Sequence, residues 1–181
     1  PVNLANLGVL SLSSDDLILS ICIHTARHGI PRLIWLYDIA RLLAHLPKAI
    51  DWTALRLKIE KYSGMRSVFY PLLLTRDWLG VQIPEKFLRD IQPNYFDREL
   101  FKLVAAPNKI LTARQSAEEP LNLVSILMMQ LLCIDDLSDR LKVAFSFLFP
   151  SKNQVVRFEG IPDSTIAYLF HILSPARALK I

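Results

Sequence analysis

The chain has 181 residues, of which 52% are hydrophobic and 21% charged, with a formal net charge of +4, a pI near 9.2 and a mean hydropathy of +0.30. Its basic residues are scattered, with no Lys/Arg-rich block and no basic-aromatic interleaving, which argues against a nucleic-acid binder. The length suits one domain or two tightly packed helical subdomains. The apolar excess implies a large core or a face normally covered by a partner.

The elements follow in chain order. Residues 1–13 read as a linker or short strand left from a preceding domain, with alternation at Val9, Leu10, Ser11 and Leu12. Residues 14–181 read as a helical domain, with 14–92 and 93–181 as subdomains. Ser13-Ser14-Asp15-Asp16 supplies a cap and an acidic first turn for a helix running to about His28. Gly29 takes a left-handed C-cap and Pro31 stops propagation. A second helix starts near Pro31 and runs to about Leu46. Asp51 caps a third over residues 52–63, ended by Gly64. A fourth spans residues 65–79, with a kink or break expected at Pro71.

Pro84 opens a short helix toward Ile91, and residues 97–105 form another. Residues 107–117 read as a polar loop. Pro120 opens the apolar helix that ends near Ile134. Asp135-Asp136 starts the next one, through Phe149. Residues 154–158 read as extended, and Pro162-Asp163-Ser164 opens a last helix. The class is all-α, a bundle of about eight or nine helices, because helical period dominates and no run of alternating strands appears.

Cys22 and Cys133 sit in apolar helical stretches and read as reduced core residues. The most apolar stretch, residues 121–134, is shorter than the ~20 residues of a membrane span, and no signal peptide opens the chain. A cytoplasmic location follows as an expectation, with neither membrane nor nucleic acid as a partner. The start at Pro1, without a methionine, raises the expectation of a fragment or a processed chain.

The five glycines are Gly8, Gly29, Gly64, Gly80 and Gly160, each followed by a hydrophobic residue. No Gly-x-Gly-x-x-Gly and no Walker loop can be built from them. No Gly-Ser dipeptide exists, so a Gly-Ser-x-x-Asp loop for triphosphate and metal is missing. Ser13-Ser14-Asp15-Asp16 has a similar look but no glycine to admit a phosphate, and reads as a helix cap.

His24 and His28 are four apart and share a helix face. Such a pair can grip one metal ion, but zinc needs a third and usually a fourth ligand. With Leu17 and Ile21 on the same stripe, the reading is core-edge histidines, with an anion or partner contact as the alternative. On the next helix, Asp38, Arg41 and His45 share a face. Asp38 pairs either with Arg41 on its own helix or across the hairpin with His24, His28 or Arg27. No nucleophile elbow is present, and Asp135-Asp136 reads as a helix N-terminus. The chain offers no general acid and base set of its own.

The run His24-Thr25-Ala26-Arg27-His28-Gly29, followed by Arg32-Leu33-Ile34-Trp35-Leu36-Tyr37-Asp38-Ile39-Ala40-Arg41, resembles the signature of an uncharacterised bacterial nucleotidyltransferase family. Asp51-Trp52, Leu79-Gly80-Val81-Gln82-Ile83-Pro84, and the stretch from Asp139-Arg140-Leu141 to Phe149-Pro150 extend the resemblance. It implies a mixed α/β catalytic domain placed before these helices, as a partner within the same protein. It also implies magnesium and a nucleoside triphosphate for the full-length protein. His24, Arg27, His28, Arg32 and Asp38 would then line a substrate pocket or an interdomain contact. Two rivals remain open: a non-enzymatic helical module that binds a protein partner or oligomerises, and a helical metal-dependent hydrolase built on His24, His28 and Asp38.

Overall fold

A computed structural model of the chain describes residues 2–4, 7–9, 11–30, 32–46, 50–105 and 120–148. Eight helices run through them: α1 (Ser14–Arg27), α2 (Leu33–His45), α3 (Trp52–Lys61), α4 (Met65–Leu79), α5 (Glu85–Asp90), α6 (Tyr95–Val104), α7 (Pro120–Leu132) and α8 (Leu137–Leu148). Before them, β1 (Val2–Leu4) and β2 (Leu7–Val9) form a short antiparallel ladder, with Val2 opposite Val9. The all-α class holds, and the extended N-terminal segment is this small hairpin. The expected loop at 107–117, the extension at 154–158 and the last helix from Pro162 lie outside the described residues.

Three helices, α1, α3 and α6, start where the N-cap side chain takes free amides of the first turn. Ser13 is extended, and its Oγ accepts the Asp16 amide at 3.2 Å while donating to Asp16 Oδ2 at 2.6 Å. Asp51 Oδ1 accepts from Thr53 and Ala54 at 2.9 and 3.0 Å. Asn94 Oδ1 accepts the Asp97 amide at 2.8 Å. That cap starts α6 at Tyr95, two residues earlier than expected, and makes Asp97 the third residue of the first turn.

Helix ends show a second difference. Ser63, not Gly64, takes the left-handed position after α3, with φ 49°. Gly64 has φ −114° and opens α4. α4 runs through Pro71 without a break. Pro71 has no N–H to give the ladder, and its carbonyl accepts from Thr75 Oγ1 at 2.7 Å.

The core grows around α4. It buries Val68, Phe69, Tyr70, Pro71, Leu72, Leu74 and Thr75, residues on all sides of the cylinder, as a central helix must. α1 and α2 each offer a single stripe. In α1 it is Ile18, Leu19, Cys22 and Ala26, and in α2 Leu36, Ile39, Ala40 and Leu43. Both helices pack on α4 and on each other. α6 packs on α7, and α7 on α1 and α8. One apolar cluster joins α1 through α6 to Met129, Leu132 and Cys133 at the end of α7. Its two largest fully buried side chains, Tyr70 and Phe101, stack with centroids 3.8 Å apart and planes at 17°. Each fully buried Leu, Ile or Phe contributes about 1.5–3 kcal/mol by leaving water.

Candidate functional site: the corner between α1 and α2

The corner is built on an unfavourable backbone. After α1, Gly29 and Ile30 both have positive φ, 69° and 54°. A β-branched residue there is an outlier. The core holds it in place, because the Ile30 side chain is fully buried. Two amides also fold back onto α1, Gly29 to the Ala26 carbonyl at 2.9 Å and Ile30 to the Thr25 carbonyl at 3.0 Å. From α7, Gln130 Nε2 donates to the Arg27 carbonyl at 2.8 Å. The inner side of the corner is thus pinned to α7.

The outer side carries the residues singled out from sequence. His24 and His28 are exposed, not set at the core edge as expected. The α1 stripe that faces α4 runs through Ile18, Cys22, Thr25 and Ala26, and this rotates both imidazoles outward. Their rings lie 4.7 Å apart. The Trp35 ring reaches across from α2 and sits 5.2 Å from each of them. The Arg32 guanidinium lies over Trp35 at 5.6 Å, a cation–π contact worth about 0.5–1 kcal/mol at an exposed site. Arg27, three residues after His24 on the same helix, is exposed.

Asp38 does not join them. It is half-buried, and among the described residues neither His24, His28, Arg27 nor Arg41 bonds to it. Both sequence pairings for Asp38 therefore fail. Arg41 instead gives its carbonyl to His45 Nδ1 at 2.8 Å. Among the described residues no group of three His, Cys, Asp or Glu side chains could hold a metal ion. These residues do not fit a metal–triphosphate centre, and no chemical step is assigned to them.

The corner thus brings a partly exposed indole, two exposed imidazoles and the Arg32 guanidinium together. Such a surface can stack on a planar group and hold negative charge. It supplies no activated nucleophile. Cys22 and Cys133 are free and buried, and burial pushes both thiols far above their ordinary range, which makes them inert. The Ser13–Asp16 segment serves as a cap, and Lys58 Nζ closes on it at 2.7 Å from Asp16 Oδ1.

Sequence reading missed a second polar cluster inside the bundle. Arg66 of α4 lies 2.5 Å from Asp97 of α6 and 3.7 Å from Asp135, which follows α7. Arg140 of α8 lies 3.7 Å from Asp97 and donates to the Ile134 carbonyl at 2.8 Å. Asp135 also accepts the Met65 and Arg66 amides. The only local signal was Asn94-x-x-Asp97, a capping-box spacing. The cluster ties α4, α6 and the start of α8 together.

Residues 1–80 match the family described as uncharacterised nucleotidyltransferase. The match covers 80 of the 181 residues. The matched span runs from the hairpin to Gly80, the left-handed residue that ends α4, and it contains every residue of the corner. The similarity read beyond it, at residues 81–84 and 139–150, lies outside the match. No curated protein and no solved structure matches the chain. Among the described residues no helix is long and apolar enough to cross a membrane.

Proposed function

We propose that this chain is the C-terminal helical module of a nucleotidyltransferase-family protein. It packs on the catalytic domain and presents the α1–α2 corner to that domain's substrate pocket. The carrying observation is the convergence of His24, His28, Trp35 and Arg32 on one exposed surface within the family-matched span. Magnesium and the triphosphate would be held by the catalytic domain. The role of the corner residues is binding: Trp35 offers a flat apolar face, and Arg27 and Arg32 offer positive charge.

The test uses the natural gene product that carries this chain. Nucleotide transfer is measured for the wild type, for Trp35→Ala and for Arg32→Ala, with circular dichroism to confirm folding. The reading expects KM to rise at least several-fold in both variants. Unchanged KM and kcat in folded variants would sink it.

One observation favours a second reading, a non-enzymatic interaction module. Leu33, Ile34 and Tyr37 of α2 are 40%, 55% and 50% exposed, next to the corner, and apolar groups so placed mark protein contacts. This reading expects capture of a protein partner without nucleotide, unaffected by His24→Ala and His28→Ala.

A further inference from the structure

Between α4 and α6, away from the corner, lies a cavity of about 520 Å³. That is within the roughly 300–1,000 Å³ of small-molecule sites. Its floor is apolar, made by Phe69, Leu73, Trp78 and Phe101. Phe69 and Phe101 are buried parts of the core, and Phe101 is braced from behind by the Tyr70 stack. The floor is therefore a rigid wall.

The charged groups at its rim are not balanced. Arg76 and Asp77 neutralise each other at 2.7 Å. Lys102 is held by Glu99 at 2.7 Å. Arg98 has no carboxylate among the described residues. Its Nη1 donates to the neutral Gln92 amide at 2.9 Å, and its Nε is buried with no hydrogen-bond partner among the described residues. A buried donor on an unneutralised cation is costly unless an anion completes it. An apolar wall beside such a donor fits a ligand with an apolar body and one negative end.

We infer that this cavity binds an apolar chain ending in a carboxylate, with the carboxylate on Arg98 and the chain along Phe69, Leu73, Trp78 and Phe101. A long-chain carboxylate is favoured over a nucleotide, because the floor offers a sugar or base no polar group besides the Trp78 indole N–H. The site stands apart from the proposed role of the corner, and its test needs no catalytic domain.

The full chain is titrated with sodium dodecanoate by isothermal calorimetry, with dodecanol and acetate as controls. The expected result is saturable one-to-one binding of dodecanoate, with Kd on the order of 10–100 µM. Dodecanol should bind at least tenfold more weakly, and acetate should not bind measurably. Arg98→Gln should weaken dodecanoate about tenfold or more. Leu73→Trp, which fills the cavity, should abolish binding while the helical circular dichroism persists. Equal affinity for dodecanol, an unaffected Arg98→Gln variant, or no saturable heat up to millimolar dodecanoate would each overturn the assignment.

Discussion

The Asp135 carboxylate accepts the backbone amide of Met65 at 2.6 Å, from 70 residues further along the chain. It also takes the Arg66 amide at 2.9 Å. One acidic residue at the α7–α8 turn thus caps the N-terminus of α4, whose own cap, Gly64, has no side chain to offer. The neighbouring Asp136 does what its sequence position suggests and caps α8, accepting from Ser138 and Asp139 at 2.7 and 3.1 Å.

Removing this cap should show in stability. Asp135→Ala leaves two amides without a partner and Arg66 with one carboxylate fewer. The expected loss is about 1–3 kcal/mol, read by urea denaturation. Asp135→Asn keeps one accepting oxygen and should lose less than half of that.

The pH dependence of this group has a definite sign. Burial raises the Asp135 pKa above its ordinary value, against the opposing pull of the Arg66 and Met65 amides and the Arg66 guanidinium. The folded state therefore keeps its proton to a higher pH than the unfolded chain does. Across that window unfolding releases a proton, and the group's contribution to stability falls as pH rises. Asp135→Asn has no such proton. Denaturation at a series of pH values from the ordinary carboxylate pKa upward should show the variant gaining on the wild type. A gap that widens with pH would contradict the sign.

Two glycines with the same φ of 69° should respond differently to alanine. At Gly80 an added Cβ meets nothing within 4 Å, so only the left-handed backbone is strained, at a cost of about 1–2 kcal/mol. At Gly29 the Cβ would come within 2.6 Å of the Ile126 carbonyl oxygen, and that oxygen belongs to a packed helix. Gly29→Ala should lower Tm clearly more than Gly80→Ala. Equal effects would show that α7 yields at no cost.

Ser63 holds a left-handed φ of 49° and is exposed. Ser63→Gly should stabilise the chain by about 0.5–1 kcal/mol, the relief of strain less the added freedom of the unfolded glycine. Chemical denaturation reads this directly.

The Tyr70 hydroxyl is buried without a hydrogen-bond partner among the described residues, and burial drives its pKa far above the ordinary phenol range. Tyr70→Phe keeps the stack on Phe101 and removes the unpaired group. Stability should stay level or rise by up to about 1 kcal/mol. A clear loss would mean that the hydroxyl has a partner in solution.

Much of this fold was legible in one dimension, because its causes are local. The caps at Ser13 and Asp51, the left-handed turn at Gly29 and the apolar stripes of α1 and α2 depend on residues within a few positions of one another. The same local signals, with the run through Trp35 to Arg41, pointed to the family that the first 80 residues match. The glycine spacing excluded the phosphate loops for a similar reason, since such loops are short and contiguous.

What only the tertiary structure decided depends on helix rotation and on contacts distant in sequence. Periodicity gave His24 and His28 a common face, but the packing of α1 on α4 turned that face to solvent and brought Trp35 beside it. Asp38 sits between apolar neighbours at a spacing that allowed two ion pairs, and the crossing of α1 and α2 made neither. Asp135 read as the start of its own helix, yet the turn after α7 aims it at α4. A sequence states which groups have charge to share or hydrogen bonds to make. Which of them meet is set by how the buried stripes fit together, because burying those stripes involves far more free energy than any one of these polar pairs.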